Sequence, residues 1–480
     1  MPTETSTLDG GKLVLDAATL DALQARLRGP VLAPGIEGFD DACRIWNGMI
    51  RSRPALVVRA TGTADVVECV RFAAQHRILV SAKCGGHNIA GTSLAAGGLT
   101  IDLSRMKGVL VDPALKVARV QAGCLLGDVD RETQLHGLAT VLGFVSETGV
   151  AGLTLGGGFG YLTRRFGYTV DNLLEVELVA ADGRVLRASA EENADLFWAV
   201  RGGGGNFGIV TAFTFRLHAV GPTITGGLIA WPAEEAPQVL ARYRDVTSEV
   251  GRELTLATTM RLAPPAPFVP KEWHGKPIIG IVACHTGSRS QAEKDFAPIK
   301  TLGKPIFDLI VEKPYVQQQS MLDATQPKGL HYYWKSEYLR SLSDAALATF
   351  RAHGVAVPSP QSQIVLFHLE GAISERTPDE GAVGNRDVQY VLGVAGAWTP
   401  DDPGAQRHLA WVRAAWDSLR PHATGGVYVN FLTEDEGEDR VRAAYRDNFA
   451  RLAAVKAKYD PENLFRSNKN IAPTRGSDPA

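Results

Sequence analysis

The chain has 480 residues, of which 45% are hydrophobic and 21% are charged, as in ordinary globular proteins. Its formal net charge of -2 gives no basic surface that would indicate binding to nucleic acid or to an anionic membrane. It has no apolar run long enough to predict a membrane span, and its polar N-terminus lacks the pattern of a secretory signal. The five cysteines are scattered without a C-x-x-C pair, which disfavours disulfides or a metal site and predicts reduced thiols in a cytoplasmic protein.

The first predicted elements form a strand, helix and strand. Residues 56–61 are typical of a buried strand, residues 63–76 have apolar side chains at helical spacing, and residues 78–82 form a second apolar run. The second strand runs directly into a loop that contains His87. Because α/β proteins usually bind ligands where strands end, this loop is a candidate binding element.

More short elements follow before the sequence changes character. Residues 173–180 and 185–188 are predicted to form a hairpin around Ala181-Asp182-Gly183, a sequence that favours a tight turn. The predicted strands are 99–102, 108–111, 117–121, 173–180, 185–188 and 209–217, and the predicted helix is 126–136.

The chain is long enough for two domains, and its sequence pattern changes near Val220. From there to about residue 421, β-type runs alternate with amphipathic helices such as 237–250 and 406–419. Residues 425–473 again have the sequence pattern of the first part of the chain. We therefore predict one domain from residues 1–220 and 422–480, which would bind a cofactor, and an inserted substrate domain at 221–421.

Glycine-rich segments distinguish the first half of the chain. They occupy residues 83–91, 156–160 and 202–208. Glycine lets backbone approach a ligand closely, so these segments predict a phosphate-bearing cofactor held by backbone N–H groups. Their spacing is neither that of a dinucleotide fingerprint nor that of a Walker loop.

Together these motifs resemble the flavoprotein oxidases related to berberine bridge enzyme, which have the vanillyl-alcohol-oxidase or PCMH type of FAD-binding fold. The resemblance implies an α+β protein, in which a two-part FAD-binding domain carries an inserted α/β substrate domain with an antiparallel sheet covered by helices. The matching segments follow the family order, at residues 85–87, 149–160, 171–172, 201–208, 335–338, 428–431, 458–461 and 468–471.

His87 is the residue to which the resemblance assigns a covalent bond with the C8 methyl group of FAD. The chemistry needs a neutral imidazole, and the link would make the flavin a stronger electron acceptor. The alternative is a loop histidine that only donates a hydrogen bond. Many relatives attach FAD a second time through a cysteine, but Val145 occupies that position here, so we expect a single link. Cys84 is expected to be a small buried hydrophobic residue.

Other residues would contact the cofactor without a covalent bond. Thr148 falls where the family controls oxygen access, with valine in oxidases and leucine in dehydrogenases. Asp171 and Asn172 could contact the cofactor or cap a turn, and the glycines could also serve tight turns. The predicted cofactor contacts are Gly85, Gly86, Asn88, Thr148, Gly149, Gly152, Gly156, Gly157, Gly158, Asn206, Gly208, Val210, Tyr428 and Asn430.

Tyr428 is the main candidate for proton transfer. Residues 428–430 have strand alternation, which would place Tyr428 and Asn430 on one side. A phenol has a pKa of about 10, so a base role needs a nearby cation or oriented donors. Lys335 could supply that charge, although the sequence favours a surface position for it, and Tyr428 could instead be a packing aromatic. His368 is a second candidate, equally well explained as a structural histidine.

The resemblance implies an oxidase that transfers hydride from a small alcohol, sugar or aromatic metabolite to flavin N5 and then reduces O2 to H2O2. Phe159, Tyr332, Trp334 and Tyr428 are the candidate substrate contacts, although the aromatic residues, Tyr333 included, could also fill the core. Gly393 and Phe159 stand where relatives have polar groups. A dehydrogenase with another acceptor, or a noncatalytic flavin-binding or drug-binding protein, remains an alternative.

Overall fold

A four-stranded and a five-stranded sheet occupy the first half of the computed structural model, which describes residues 2–474. In spatial order, the first contains Val31–Leu32, Leu56–Arg59, Leu99–Asp102 and Val80–Lys83. The second contains Val185–Ser189, Leu173–Val179, Ile209–Arg216, Val117–Gln121 and Val109–Asp112. Smaller pairs join Thr3–Ser6 with Lys12–Leu15, and Leu138–Ala139 with His218–Ala219.

The predicted strand, helix and strand are present, with the helix at Thr63–Gln75. The two strands are not neighbours, however. Leu99–Asp102 lies between Leu56–Arg59 and Val80–Lys83 and pairs in parallel with both. The second strand ends at Lys83, so the His87 loop leaves the sheet at the carboxyl edge of these parallel strands.

The helices agree closely with their sequence patterns. The segment predicted at 237–250 is Ala236–Glu249, and the one at 406–419 is Ala405–Leu419. The other α-helices are Ala17–Arg26, Phe39–Ala42, Leu126–Thr133, Val150–Leu155, Thr163–Phe166, Ala194–Val200, Arg289–Lys300, Tyr315–Gln319, Asp344–Val355, Glu438–Tyr445 and Asn448–Tyr459.

An eight-stranded antiparallel sheet, called the large sheet below, is built from residues 223–398. Its spatial order is Phe307–Asp308, Thr223–Pro232, Pro277–His285, Leu254–Leu262, Gln363–His368, Tyr390–Trp398 and His331–Leu339, with Val311–Pro314 also paired to Thr223–Pro232. All its strands lie inside the predicted substrate segment; the domain boundaries themselves stay a prediction.

The two faces of the large sheet have different surroundings because successive side chains of a strand point to opposite sides. In Leu254–Leu262, Leu256 and Met260 join an apolar cluster with helix residues Tyr243 and Phe350. The intervening Thr259 instead lines a cavity. One face of the large sheet therefore packs against the helices, and the other face remains available to a ligand.

The C-terminal residues pack into the same core as the first half of the chain. Leu432, Tyr445, Leu452 and Ile471 belong to one buried cluster with residues as early as Leu8. This return brings residues 427–471 beside the glycine-rich loops. Among residues 2–474, no helix combines the length and apolar character needed to cross a bilayer.

Candidate cofactor and substrate site

A cavity of about 530 Å³ lies between the glycine-rich loops and the open face of the large sheet. It brings together most of the residues predicted for the site. The predicted residues that line it are Gly85, Gly86, His87, Asn88, Thr148, Gly149, Gly152, Gly156, Phe159, Asn206, Gly208, Val210, Trp334, Tyr428 and Asn430. Within residues 2–474, its lining does not include Gly157, Gly158, Tyr332 or His368.

His87 has the environment of a neutral nucleophile. Its ring stacks on Trp46, with 5.4 Å between ring centroids and 14° between planes. Burial, with a smaller contribution from the charge of Lys328, lowers the pKa of His87 to about 4. The imidazole is therefore uncharged at neutral pH, as attack on a flavin methyl group requires.

The loop that carries His87 is fixed against the start of helix Val150–Leu155. A Cβ at Gly85 would lie 2.6 Å from the nitrogen of Gly149, and a Cβ at Gly149 would lie 2.5 Å from the nitrogen of Gly85. Only two glycines permit this backbone contact. These two glycines therefore act by bringing two loops together at the cavity wall.

Gly152 and Gly205 have the opposite surroundings. A Cβ at either position would meet no protein atom within 4 Å, although both residues line the cavity. The space that their missing side chains leave is part of the cavity itself. None of the described lining residues is an aspartate or glutamate, whereas Lys335 and Lys469 are present. A lining without carboxylates, in which glycine loops expose backbone, fits the pyrophosphate-bearing FAD molecule.

The glycines at 156–158 are needed mainly for the local backbone conformation. Gly157 and Gly158 have φ values of 113° and 75°, where a side chain is strained. A Cβ at Gly156 would lie 2.2 Å from Oδ1 of Asn430. The tight-turn interpretation therefore accounts for this run, and its last N–H group serves Tyr428.

Tyr428 has two oriented hydrogen-bond donors. The backbone N–H of Gly158 donates to its hydroxyl oxygen at 3.0 Å, and Nδ2 of Asn430 donates to the same oxygen at 2.9 Å. Burial raises the pKa of Tyr428 to about 12, and these two donors oppose that rise. The phenol is therefore protonated at neutral pH, but its oxygen is prepared to carry negative charge.

The predicted strand at 428–430 is wrong. Val429–Phe431 is a 3-10 turn that follows the extended residue Tyr428. Tyr428 and Asn430 still lie on the same side, because the turn folds Nδ2 of Asn430 back onto the Tyr428 hydroxyl. The alternation in the sequence therefore correctly predicted that Tyr428 and Asn430 lie together, although a turn and not a strand brings them together.

The surface position favoured for Lys335 is also wrong. Lys335 is buried, and its Nζ lies 2.8 Å from Oδ1 of Asp435 and 3.0 Å from the hydroxyl of Thr433. Glu436 is 3.5 Å away. The charge of Lys335 is thus balanced by acidic residues. The groups that contact the Tyr428 hydroxyl directly are the N–H groups of Gly158 and Asn430.

Asp171 and Asn172 stabilise the protein rather than line the cavity. Arg386 donates to both carboxylate oxygens of Asp171, at 2.7 and 3.0 Å, and Asp171 accepts the N–H of Tyr168. Nδ2 of Asn172 donates to the carbonyl groups of Phe166 and Tyr168. The turn-capping alternative fits these contacts.

His368 and Tyr332 lie behind the cavity wall. The His368 side chain is fully buried at the end of its strand, 3.5 Å from Glu370, and burial lowers its pKa to about 4. Tyr332 stacks on Trp46 at 3.7 Å between centroids and donates its hydroxyl to the carbonyl of Pro327. Tyr332 thus supports Trp46, which supports His87.

Thr148 and Val145 line the cavity beside Cys84. Burial raises the pKa of Cys84 to about 11, and its thiol donates to the carbonyl of Cys124. A thiol in this state is a poor nucleophile. These surroundings agree with the expectation that Cys84 is a packing residue.

Sequence reasoning missed several lining residues. Trp46 had no glycine-rich neighbour to mark it, and Arg261, Gln363 and Phe367 lie in strands with ordinary β patterns. Strand alternation could have identified their common face, but only after the pairing register was known.

Known proteins resemble this chain along almost its whole length. Residues 54–189 match the model of an FAD binding domain, and residues 427–472 match the model "Berberine and berberine like". (R)-6-hydroxynicotine oxidase of Paenarthrobacter nicotinovorans is 31% identical over 93% of this chain and 97% of its own. The crystal structure of 6-hydroxy-D-nicotine oxidase from Arthrobacter nicotinovorans has a TM-score of 0.84 at 29% identity, covering 93% and 98% of the two chains.

The structure of berberine bridge enzyme from Eschscholzia californica has a TM-score of 0.85 at 20% identity, covering 96% of this chain and 100% of that one. At this identity the likeness concerns the fold alone. Together the matches confirm the predicted fold class, that of PCMH-type FAD oxidases.

Proposed function

The chain belongs to the berberine bridge enzyme-like family of FAD-linked oxidoreductases, and we propose that it is an oxidase of small organic molecules with FAD attached through His87. The observation that carries the proposal is the hydrogen bonding of Tyr428, which lines the same cavity as His87 and Thr148. Its oxygen accepts two N–H groups.

FAD, held by His87 and the glycine loops, would supply a two-electron acceptor for a hydride from the substrate carbon, with O2 as the final oxidant. Tyr428 would take or relay the proton of the adjacent O–H or N–H group of the substrate. The Gly158 and Asn430 N–H groups stabilise the phenolate that this role requires, and they hold the oxygen in position. Phe159, whose ring meets that of Tyr428 edge to face at 4.9 Å, would exclude water from this point.

His87 would hold the cofactor at one end of the cavity. The neutral imidazole and its stacking on Trp46 support a covalent link, and Val145 supports the absence of a second one. The glycines at 152 and 205 would leave room for the rest of the cofactor.

Thr148 bears on the choice of electron acceptor. It resembles valine in size, and valine accompanies oxidases in the family that the sequence resembles. Its hydroxyl adds a polar group that valine lacks, so a dehydrogenase with another acceptor is the second candidate. The five free cysteines support our proposal of a cytoplasmic location.

The test is anaerobic mixing of the purified flavoprotein with a panel of alcohols, sugars and hydroxylated aromatics, followed by addition of O2. An oxidase bleaches the flavin absorbance with a substrate and then yields one H2O2 per substrate oxidised. The matched variants are Thr148→Val, which should retain rapid reoxidation, and Thr148→Leu, which should slow it.

Bleaching followed by reoxidation no faster than that of free flavin would instead establish the dehydrogenase. Absence of bleaching by the whole panel would favour a noncatalytic flavin-binding or drug-binding protein.

A further inference from the structure

One transverse row of the large sheet carries N–H donors along the cavity wall. Arg261 pairs with Gln363, Gln363 pairs with Ala395, and Ala395 pairs with Trp334. All four residues line the cavity. Because neighbouring strands lie about 4.8 Å apart, the row is about 14 Å long from Trp334 to Arg261.

Two N–H donors of this row have no acceptor within residues 2–474. Nε of Arg261 and Nε1 of Trp334 are buried and lack hydrogen-bond partners. Between them, Oε1 of Gln363 accepts the Thr259 hydroxyl at 3.1 Å, which leaves the Nε2 donors for another group. Buried donors are normally satisfied, and leaving one without a partner destabilises the protein. With two unused donors and a guanidinium on a cavity wall, the row is a site for an acceptor.

The charge of Arg261 is likewise unbalanced. Its guanidinium donates to the carbonyl of Pro360 at 2.9 Å, and in the described part of the chain it forms no ion pair. Burial lowers its pKa, with no acidic group among the causes. The carbonyl contact orients one end of the guanidinium, and Nε has no hydrogen-bond partner.

The surroundings of Arg261 indicate the rest of the ligand. Pro264, Phe268 and Ile278 line the same part of the cavity, and Phe268 is an exposed aromatic side chain. An apolar body would pack on these residues while its acidic group reaches the donors.

We propose that Arg261, with the neighbouring Gln363, binds a carboxylate on the substrate, so that the enzyme acts on an organic acid with an apolar or aromatic body. The planar guanidinium matches the two oxygens of a carboxylate. The inference extends the proposed function, and it rests on that function in treating the bound acid as the substrate. The binding site itself is independent of turnover.

The experiment measures binding by isothermal titration calorimetry of the flavin-loaded protein with 2-naphthoate and its neutral isostere 2-naphthamide. The wild-type protein should bind 2-naphthoate at least about tenfold more tightly, which corresponds to about 1.4 kcal/mol. Arg261→Gln should remove this preference, and Arg261→Lys should retain part of it. Lys276→Gln is the matched control, since Lys276 is an exposed cation that does not line the cavity.

Equal affinity for the two probes in the wild-type protein, or binding of neither, would overturn the proposal, and this comparison needs no variant. Retained discrimination in a folded Arg261→Gln protein would also overturn it, with folding judged by flavin content and thermal unfolding. Tighter binding of 2-naphthyl phosphate than of 2-naphthoate would reject the carboxylate assignment. Neither probe has an alcohol to oxidise, so failure of the oxidase proposal would leave this result unaffected.

Discussion

The two walls of the cavity are built in different ways. The loop wall consists of backbone and glycine, where Gly85 and Gly149 approach so closely that neither can carry a side chain. The sheet wall consists of alternate side chains from several strands, including Arg261, Gln363 and Trp334. One wall thus fits a large cofactor through main-chain atoms, and the other presents individual side chains to a smaller ligand.

The walls also differ in their tolerance of change. A Cβ at Gly393 on the sheet wall would meet only Cγ1 of Val365 at 3.0 Å, together with a distant contact to Phe367. At Gly149 it would meet backbone at 2.5 Å and Sγ of Cys84 at 2.6 Å. An added Cβ at Gly393 would therefore displace a side-chain methyl group, whereas one at Gly149 would have to displace backbone.

The largest expected effect concerns His87 on the loop wall. In His87→Ala, the denatured polypeptide should lose the mass of one FAD and all flavin colour, because no other nucleophile would attach the cofactor. Mass spectrometry and absorbance of acid-precipitated protein measure this. Cys84→Ala is the matched control and should keep the flavin; a colourless wild-type pellet would contradict the covalent link.

Tyr428 joins the two walls, and Tyr428→Phe should slow flavin reduction by about 10²-fold, within the usual range for general acid–base catalysis. Since the raised pKa of about 12 keeps the phenol protonated, the wild-type rate should rise with pH through the alkaline range. Stopped-flow reduction across pH 7 to about 10 measures both effects.

His368→Asn is the control for Tyr428, because that side chain lies outside the described cavity lining. A pH-independent wild-type rate, or an equal loss in the His368 variant, would remove Tyr428 from the proton-transfer role.

A smaller effect should separate two glycines of the same wall. Gly149→Ala should destabilise the protein by about 1–3 kcal/mol, since its Cβ has no space between Gly85 and Cys84. Gly152→Ala should leave the flavin-free protein unchanged but weaken flavin incorporation, because its Cβ would enter only the cavity. Denaturant unfolding of both flavin-free variants measures the difference, and equal stabilities would contradict the distinction between these two glycines.

The cofactor side of the protein could be predicted in detail from the sequence. The glycine segments, His87 and Thr148 lie in short motifs whose chemistry depends on near neighbours, and the structure places them around one cavity. The four predicted helices were also placed closely, because apolar spacing is local. The strand at 428–430 failed because a tertiary hydrogen bond from Asn430 to Tyr428 stabilises a turn there.

The substrate side could not be predicted in this way. Arg261 and Gln363 are 102 positions apart in the chain, yet they are opposite one another in the sheet. A shift of one residue in this register would have turned both side chains toward the helices. Lys335 was misplaced for a similar reason, since its partner Asp435 comes from the C-terminal return of the chain.

The sequence alone determined the family and hence FAD binding, through motifs that are each short, and it determined the helices that have clear apolar spacing. The tertiary structure decided which side chains share the sheet face, which charges are balanced and which donors remain unused. Those properties depend on strand register and long-range contacts, and a single sequence does not encode them in any local pattern.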